Sequence, residues 1–414
     1  MTSRKIDKKR IGQVLSLYVS MVLTLIVGIG VSVFNTRFLE PQQFGDYKFL
    51  QNLFSFIVLF FTIGFFNTGS YLLAQKENEY TSRALTGSIL NLAAKISIVF
   101  ILSLVGISFF QGKIFNNDLG RYIRIFSPFL FVYPLQLCIT SILQGTNRIF
   151  ELSAFGLLPP LLYISVAMAV NYFASFSLFS ALLIQFITFS IVIIAVVIYI
   201  KPSFKNTKHH LEKIFETNTS YGFPIYIGTI VSVASAQLGG LSVAFFVNTV
   251  SVGYFSLAVT ITAPLMMIPS VVGTTFFKEF ANTALIPKNI IIATVIMSAC
   301  SLFGFFVIIK WVVITLYSDE YLPVVSLCYL LSAGCVCHGF GDFVNRFLGA
   351  HGQGKSLRNS AMVVGTINIL GYIFLVKQFG ITGAALTRLS ADAVYLCMMI
   401  FHYQKYKSEF HYAR

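Results

Sequence analysis

Apolar residues in this chain gather into long runs separated by short polar breaks. The runs lie approximately at 11 to 34, 47 to 74, 84 to 108, 123 to 143, 150 to 172, 176 to 200, 219 to 247, 252 to 275, 290 to 317, 322 to 348, 359 to 376 and 381 to 404. A bilayer core of ~30 Å is crossed by about 20 helical residues at ~1.5 Å each. The pattern therefore predicts an all-α integral membrane protein with about twelve transmembrane helices. Strands of a membrane barrel would alternate apolar and polar residues over about ten positions. These runs do not alternate, which excludes a barrel.

Composition agrees. Of 414 residues, 56% are apolar and 11% charged, and the mean hydropathy is +0.80. Soluble chains carry roughly 25% charged residues, so an ordinary cytosolic enzyme, a disordered chain and a collagen-like fibre are all excluded. A net charge of +14, from 29 basic and 15 acidic residues, would suggest nucleic acid as partner in a soluble protein. In a membrane protein it reports orientation, because cytoplasmic loops collect Lys and Arg.

The first run follows the basic stretch RKIDKKR at 4–10 and so imitates a signal peptide. It is 24 residues long, against an h-region of about 7 to 15, and reads as a retained first span. With the N-terminus inside, the inner loops and ends hold 19 Lys and Arg, the outer loops 6, and the spans 4. Both termini are thus expected in the cytoplasm. The longest inner loop, about 201 to 218, divides six spans from six. Domains are expected at 1–204 and 205–414, each a six-helix bundle.

Weak internal duplication supports this division. At an offset of 208, Phe38, Leu39, Phe44 and Gly45 align with Phe246, Val247, Val252 and Gly253. At 207, Arg148, Ser153 and Ala154 align with Lys355, Ser360 and Ala361. Six spans per half is an even number, so the halves are parallel pseudo-repeats. Such pairs commonly enclose a cavity near the midplane and work by alternating access.

A charge at mid-span costs about 2.5–3.5 kcal/mol on insertion scales, which makes the intramembrane charges the best functional candidates. Asp342 and Arg346 are i, i+4 on span ten, and Arg388 and Asp392 are i, i+4 on span twelve. Each pair can neutralise itself on one helix face; an ion pair that only lowers insertion cost is the alternative reading. Asp392 and Asp342 are candidates to carry a coupling proton or sodium ion. Lys95, about halfway along span three, has only Asn91, Leu92, Ile98 and Val99 one turn away and is a candidate contact for an anionic cargo. Lys310 beside Trp311, the single tryptophan, reads better as an interfacial anchor. The first six spans hold no acid away from their edges. A transporter of cationic drugs would want an unpaired buried carboxylate, so an anionic cargo is favoured.

Other motifs carry less. Residues 349–356, GAHGQGKS, fit the phosphate-loop pattern G-x-x-x-x-G-K-S. That pattern works after a buried strand, whereas here it joins two apolar helices, so ATP binding is not expected. The six cysteines lie in apolar runs and read as buried thiols. Cys335, Cys337 and His338 lack a fourth ligand and point to different helix faces, so no metal site is expected. The sequon at Asn218 falls on the inner side and reads as chance. The outer loop at about 109 to 122 is too short to hold an active site, and no catalytic triad or cofactor motif stands out; the chain reads as a transporter and not an enzyme.

Four stretches carry a family resemblance: RFLEPQQFGDY at 37–47, YGFP at 221–224, VGYFSLA at 252–258 and GITGAAL at 380–386. Their order along the twelve-span frame resembles the polysaccharide flippases, which move lipid-linked O-antigen or capsule repeat units and belong to the multidrug, oligosaccharidyl-lipid and polysaccharide exporter superfamily. The resemblance implies a V-shaped pair of bundles in the bacterial inner membrane. The implied cargo is an oligosaccharide on undecaprenyl pyrophosphate. Whether a polysaccharide polymerase and a chain-length regulator act as partners stays open. A pyrophosphate entering a low-dielectric cavity needs cationic partners. Lys95 and Arg388 are placed to supply them, with Arg37, Lys48 and Arg124 near the outer mouth. A drug antiporter of the same superfamily is the alternative; a membrane-embedded polymerase or ligase would need a larger outer loop.

Overall fold

The computed structural model describes residues 8–75 and 79–412, so Arg4, Lys5, Lys76 and Arg414 of the charge count lie outside the described residues. Among the described residues all regular structure is helical. Helix α1 spans Lys8–Phe38. Helix α2, Pro41–Thr62, starts on a proline, whose missing N–H costs nothing in the first turn. It is followed by α3, Phe65–Ala74. Ile63 and Gly64 between them both have positive φ (44° and 79°), and the axis turns by 64°. Helix α4 covers Glu79–Ser108. The short α5, Gln111–Phe115, and α6, Gly120–Ile125, form the connection to α7, Val132–Gly145. Helix α8, Ile149–Phe173, contains Pro159 and Pro160. Ser177 and Ser180 close a capping box on α9, Leu178–Ile200.

The polar helix α10, Thr207–Thr217, leads into α11, Phe223–Thr229, and α12, Ser235–Phe246. π-helical turns at Asn218–Gly222 and Ile230–Ala234 join the three. Asn248 caps α13, Thr249–Thr275, by accepting from the Ser251 N–H at 2.8 Å. After α14, Phe277–Phe280, come α15, Lys288–Val312, and α16, Pro323–Ala350. Helix α17 runs Gly354–Tyr412, with a non-helical break at Gly380 (φ 57°, ψ −137°) that a side chain would disfavour.

Nine of the described helices are long and apolar enough to cross a membrane, ten if the bent pair α2 and α3 is one span. Large apolar side chains face outward along them, among them Phe173, Tyr172, Trp311 and Phe303. A water-soluble surface would avoid such contiguous exposure, whereas lipid is the matching solvent. The chain is a multi-pass membrane protein.

Two compact units are resolved by contacts: residues 1–43 with 53–227, and residues 44–52 with 228–414. In the first, Phe186 of α9 sits among the rings of Phe54, Phe126, Phe129 and Tyr133, with centroids 5.5–6.4 Å away. Tyr163 of α8 donates to Asn35 of α1 at 2.7 Å. At the α2–α3 bend, Asn218 is buried, donates to the Ile63 carbonyl at 3.0 Å and accepts from Thr68 at 2.8 Å. This asparagine holds the bend and is not free to carry a glycan.

In the second unit α16 packs on α13 and α17, and Phe280, Phe343, Phe347, Leu348 and Met399 form a buried cluster. Gly45 of α2 and Gly253 of α13, the pair aligned by the offset of 208, lie against each other. A Cβ on Gly253 would fall 3.0 Å from the Gly45 Cα, and one on Gly45 would fall 2.1 Å from the Thr249 carbonyl oxygen. Two glycines let the helix backbones approach this closely. The phosphate-loop look-alike is a three-residue turn, 351–353, between α16 and α17, with no strand before it.

Candidate functional site

Two apolar helices of the second unit each carry a polar stripe at i, i+4, i+7: His338, Asp342 and Asn345 on α16, and Arg388, Asp392 and Tyr395 on α17. That spacing puts each set on one face, and packing of α16 on α17 brings the two faces together. His338 Nδ1 lies 2.8 Å from Asp392 Oδ1. Arg388 Nε stands 3.8 Å from the other oxygen of the same carboxylate. Tyr395 donates to Asp342 Oδ1 at 3.1 Å and accepts from Asn345 at 2.8 Å. Ser270 of α13 reaches Asp342 Oδ2 at 3.4 Å, and the rings of His338 and Tyr395 are 5.0 Å apart. The carboxylate of Asp392 is 8% exposed, against 27% for Arg388 and 32% for His338. A buried carboxylate is thus shared by two cationic or cationisable groups that both reach open space.

That space is divided into two cavities. The first, about 200 Å³, is lined by His338, Arg388, Asp392, Tyr395, Asn368 and Tyr372 among others. The second, about 220 Å³, is lined by Lys48, Gln51, Asn52, Gln237, Thr260 and Arg388 among others. Arg388 belongs to the wall of both. Among the described residues, the second cavity has two cations, three side-chain amides and hydroxyl groups, and no acidic residue in its wall. Amides and hydroxyls donate to oxyanions, and a guanidinium can grip a phosphate with two parallel bonds. Chemically such a lining suits an anion. Lys48 extends past its own aromatic neighbours, 5.6 Å from the Phe44 ring centre and 5.8 Å from that of Tyr47.

The other candidates are placed differently. Lys95 is on the exposed face of α4, in an open groove of about 710 Å³ in the first unit, with Asn91 and, from α10, Lys208, Leu211, Glu212 and Phe215. Arg124 on α6 points back to the end of α4, with Nη1 3.4 Å from the Ser108 carbonyl oxygen and the guanidinium 5.0 Å from the Phe109 ring centre. Arg37 is exposed in the last turn of α1. Asp342 takes donors from other helices, Tyr395 and Ser270. Every oxygen of Asp342 and Asp392 has a donor or cation beside it.

Sequence reasoning named His338 only in the context of a metal site and did not single out Tyr395, Asn345 or the amides Gln51, Asn52 and Gln237. For His338 and Tyr395 a signal was present, the i, i+4, i+7 stripe of polar residues on two apolar helices. For the amides no signal existed, because uncharged polar residues are scattered through many spans.

The arrangement defines a class of membrane protein before it defines a family. The fold is similar to that of the lipid II flippase MurJ in an inward closed conformation, with a TM-score of 0.70 at 17% identity over 93% of this chain and 87% of that one. It is similar to an inward-facing multidrug resistance MATE transporter of the MOP superfamily (0.68, 12% identity, 96% of this chain and 99% of that one). It is also similar to the MATE multidrug transporter DinF-BH (0.67, 12%, 97% and 96%). At these identities the likeness establishes the fold. No curated protein matches the sequence. The model of the polysaccharide biosynthesis protein family matches residues 12–287, and the chain belongs to that family.

Proposed function

We propose that the protein is a flippase that carries an oligosaccharide linked to undecaprenyl pyrophosphate from the inner to the outer leaflet of a bacterial plasma membrane. The observation that carries this reading is the second cavity: two cations, Lys48 and Arg388, with amides and no acid in the wall, in a chain of the polysaccharide biosynthesis family. A pyrophosphate leaving water loses its hydration, and preplaced cations and amides replace it. The lipid tail stays in the bilayer while the headgroup crosses. Lys95 and Lys208 in the groove of the first unit are a further cationic contact for the cargo, and the exposed Arg37 and Arg124 are contacts at the outer side.

Twelve spans in two six-helix bundles, with both termini cytoplasmic, fit the same reading. Helix α17 is far too long for one crossing, and Gly380 breaks it. The bent pair α2 and α3 counts once. The continuous stretch from Asn218 to Phe246 is long enough to cross despite its π-helical turns. Transport proceeds by alternating access.

The test is the amount and leaflet of undecaprenyl-pyrophosphate-linked repeat unit in cells with and without the protein. Accumulation on the inner leaflet with loss of surface polymer is expected. Single units on the outer leaflet that stay unpolymerised would point to a polymerase, and unchanged lipid-linked pools would point to a drug antiporter.

A further inference from the structure

The shared carboxylate gives the anion chamber a second input. Asp392 carries one negative charge and has two neighbours that compete for it, His338 at 2.8 Å and Arg388 at 3.8 Å. Arg388 also forms part of the wall of the second cavity, while His338 lines the first and not the second. With a neutral imidazole, the cluster of His338, Asp392 and Arg388 has no net charge, and the guanidinium is the sole cation available to the carboxylate. With a protonated imidazole the cluster is +1. His338 then holds Asp392 through a charge-assisted bond, and the guanidinium is released toward Lys48.

We propose that His338 is the proton acceptor that couples anion binding to protonation: one proton enters through the first cavity and is taken up for each pyrophosphate-class anion bound in the second. This rests on the anion chamber of the reading above and deepens it by naming the coupling ion and the residue that carries it. His338 is a positioning residue, since it acts on the anion through Asp392 and Arg388.

The surroundings isolate the effect. The charged groups acting on His338 are Asp392 and Arg388 of α17 and Asp342 of its own helix; Tyr395 and Tyr372 also line its cavity. Helices α12 and α13 contain no Asp, Glu, Lys, Arg or His. Asp342 is engaged by Tyr395 and Ser270, so Asp392 is the carboxylate that faces the imidazole. Linkage is reciprocal: a bound anion raises the proton affinity of His338. The affinity for the anion is therefore greatest at acid pH and falls as pH rises through the titration of the anion-bound protein, by about tenfold per pH unit inside the linked window.

The experiment is calorimetric titration of the purified full chain with inorganic pyrophosphate, in pairs of buffers that differ in ionisation enthalpy, across pH. Pyrophosphate brings its own protons equally to every variant, so the difference between variants isolates the protein. Wild type is expected to take up close to one proton more per pyrophosphate than His338→Gln, whose affinity no longer gains the extra tenfold per pH unit. Equal proton uptake by the two overturns the proposal. If binding depends on Lys48 (lost in Lys48→Ala) but shows no such difference, the anion chamber stands and only the coupling fails. No pyrophosphate binding by wild type at any pH overturns both. A second measurement needs no variant. With six histidines in the chain, NMR of histidine-labelled wild type should show one imidazole titrating at higher pH when pyrophosphate is present; unchanged midpoints for every histidine overturn the proposal.

Discussion

Gly383→Ala adds one methyl group where α17 folds back past its own break. An ideal Cβ on Gly383 lies 2.0 Å from the Leu375 carbonyl oxygen, 2.4 Å from its carbon and 2.9 Å from the Val376 nitrogen. Real Cβ contacts essentially never fall under 3.0 Å, so the two segments must part by about 1 Å. The atoms struck are helical backbone, already hydrogen-bonded, and cannot rotate away as a side chain would. Overpacking of this kind costs about 1–3 kcal/mol. Replacing a helical glycine by alanine returns about 0.8–1 kcal/mol of propensity, which leaves a net loss of up to about 2 kcal/mol. For a folding unit of about 200 residues that is a fall in Tm of up to about 8 °C. The same substitution at Gly304, where nothing lies within 4 Å, should leave Tm unchanged or raise it. Scanning fluorimetry of both variants in detergent makes the comparison. Because Arg388 and Asp392 follow within a few turns, Gly383→Ala should also weaken pyrophosphate binding. Equal Tm for the two variants would refute the close crossing and with it the placement of Arg388.

Removing either cation of the anion chamber, by Lys48→Gln or Arg388→Gln, forfeits charge-assisted bonds of about 1.5–3 kcal/mol. Pyrophosphate affinity measured by calorimetry should fall about 10- to 150-fold; affinity within twofold of wild type would contradict the site. Asn218→Ala leaves the Thr68 hydroxyl and the Ile63 carbonyl without their partner, and thermal unfolding should report a loss of about 1–3 kcal/mol, whereas a surface asparagine would report none. Lys95→Gln should abolish surface polysaccharide at a normal membrane level of protein, as read by gel and immunoblot, and wild-type polymer from that strain would remove Lys95 from the cargo path.

Hydropathy makes the helical, multi-pass architecture legible, and the offset of 208 points to a pair of glycines that do lie against each other, Gly45 and Gly253. Of the intramembrane charges, Arg388 and Asp392 are paired by spacing alone, since i, i+4 residues share a face whatever the fold. The same rule assigns Asp342 to Arg346. Its hydroxyl donors come instead from Tyr395 on α17 and Ser270 on α13, because a long polar side chain across a helix interface can outcompete a neighbour on the same helix. Arg124, proposed as a contact at the outer side, lies against Ser108 and Phe109 of its own unit. Arg346 looks like Arg388 in sequence; what separates them is which helix lies opposite.

The sequence by itself determined that this chain crosses a membrane as helices. In lipid every backbone N–H and C=O must be satisfied within the segment, and long apolar runs leave no other solution. It also determined the positive excess within the spans and the spacing of the polar stripes. The tertiary structure decided which stripes meet. It joined Lys48 on α2 to Arg388 on α17 in one cavity wall, and it set His338 and Arg388 on opposite oxygens of Asp392. Hydrophobic periodicity specifies which face of a helix is apolar, not which other helix covers it. That choice is made by close packing of glycines and aromatic rings far apart in the chain.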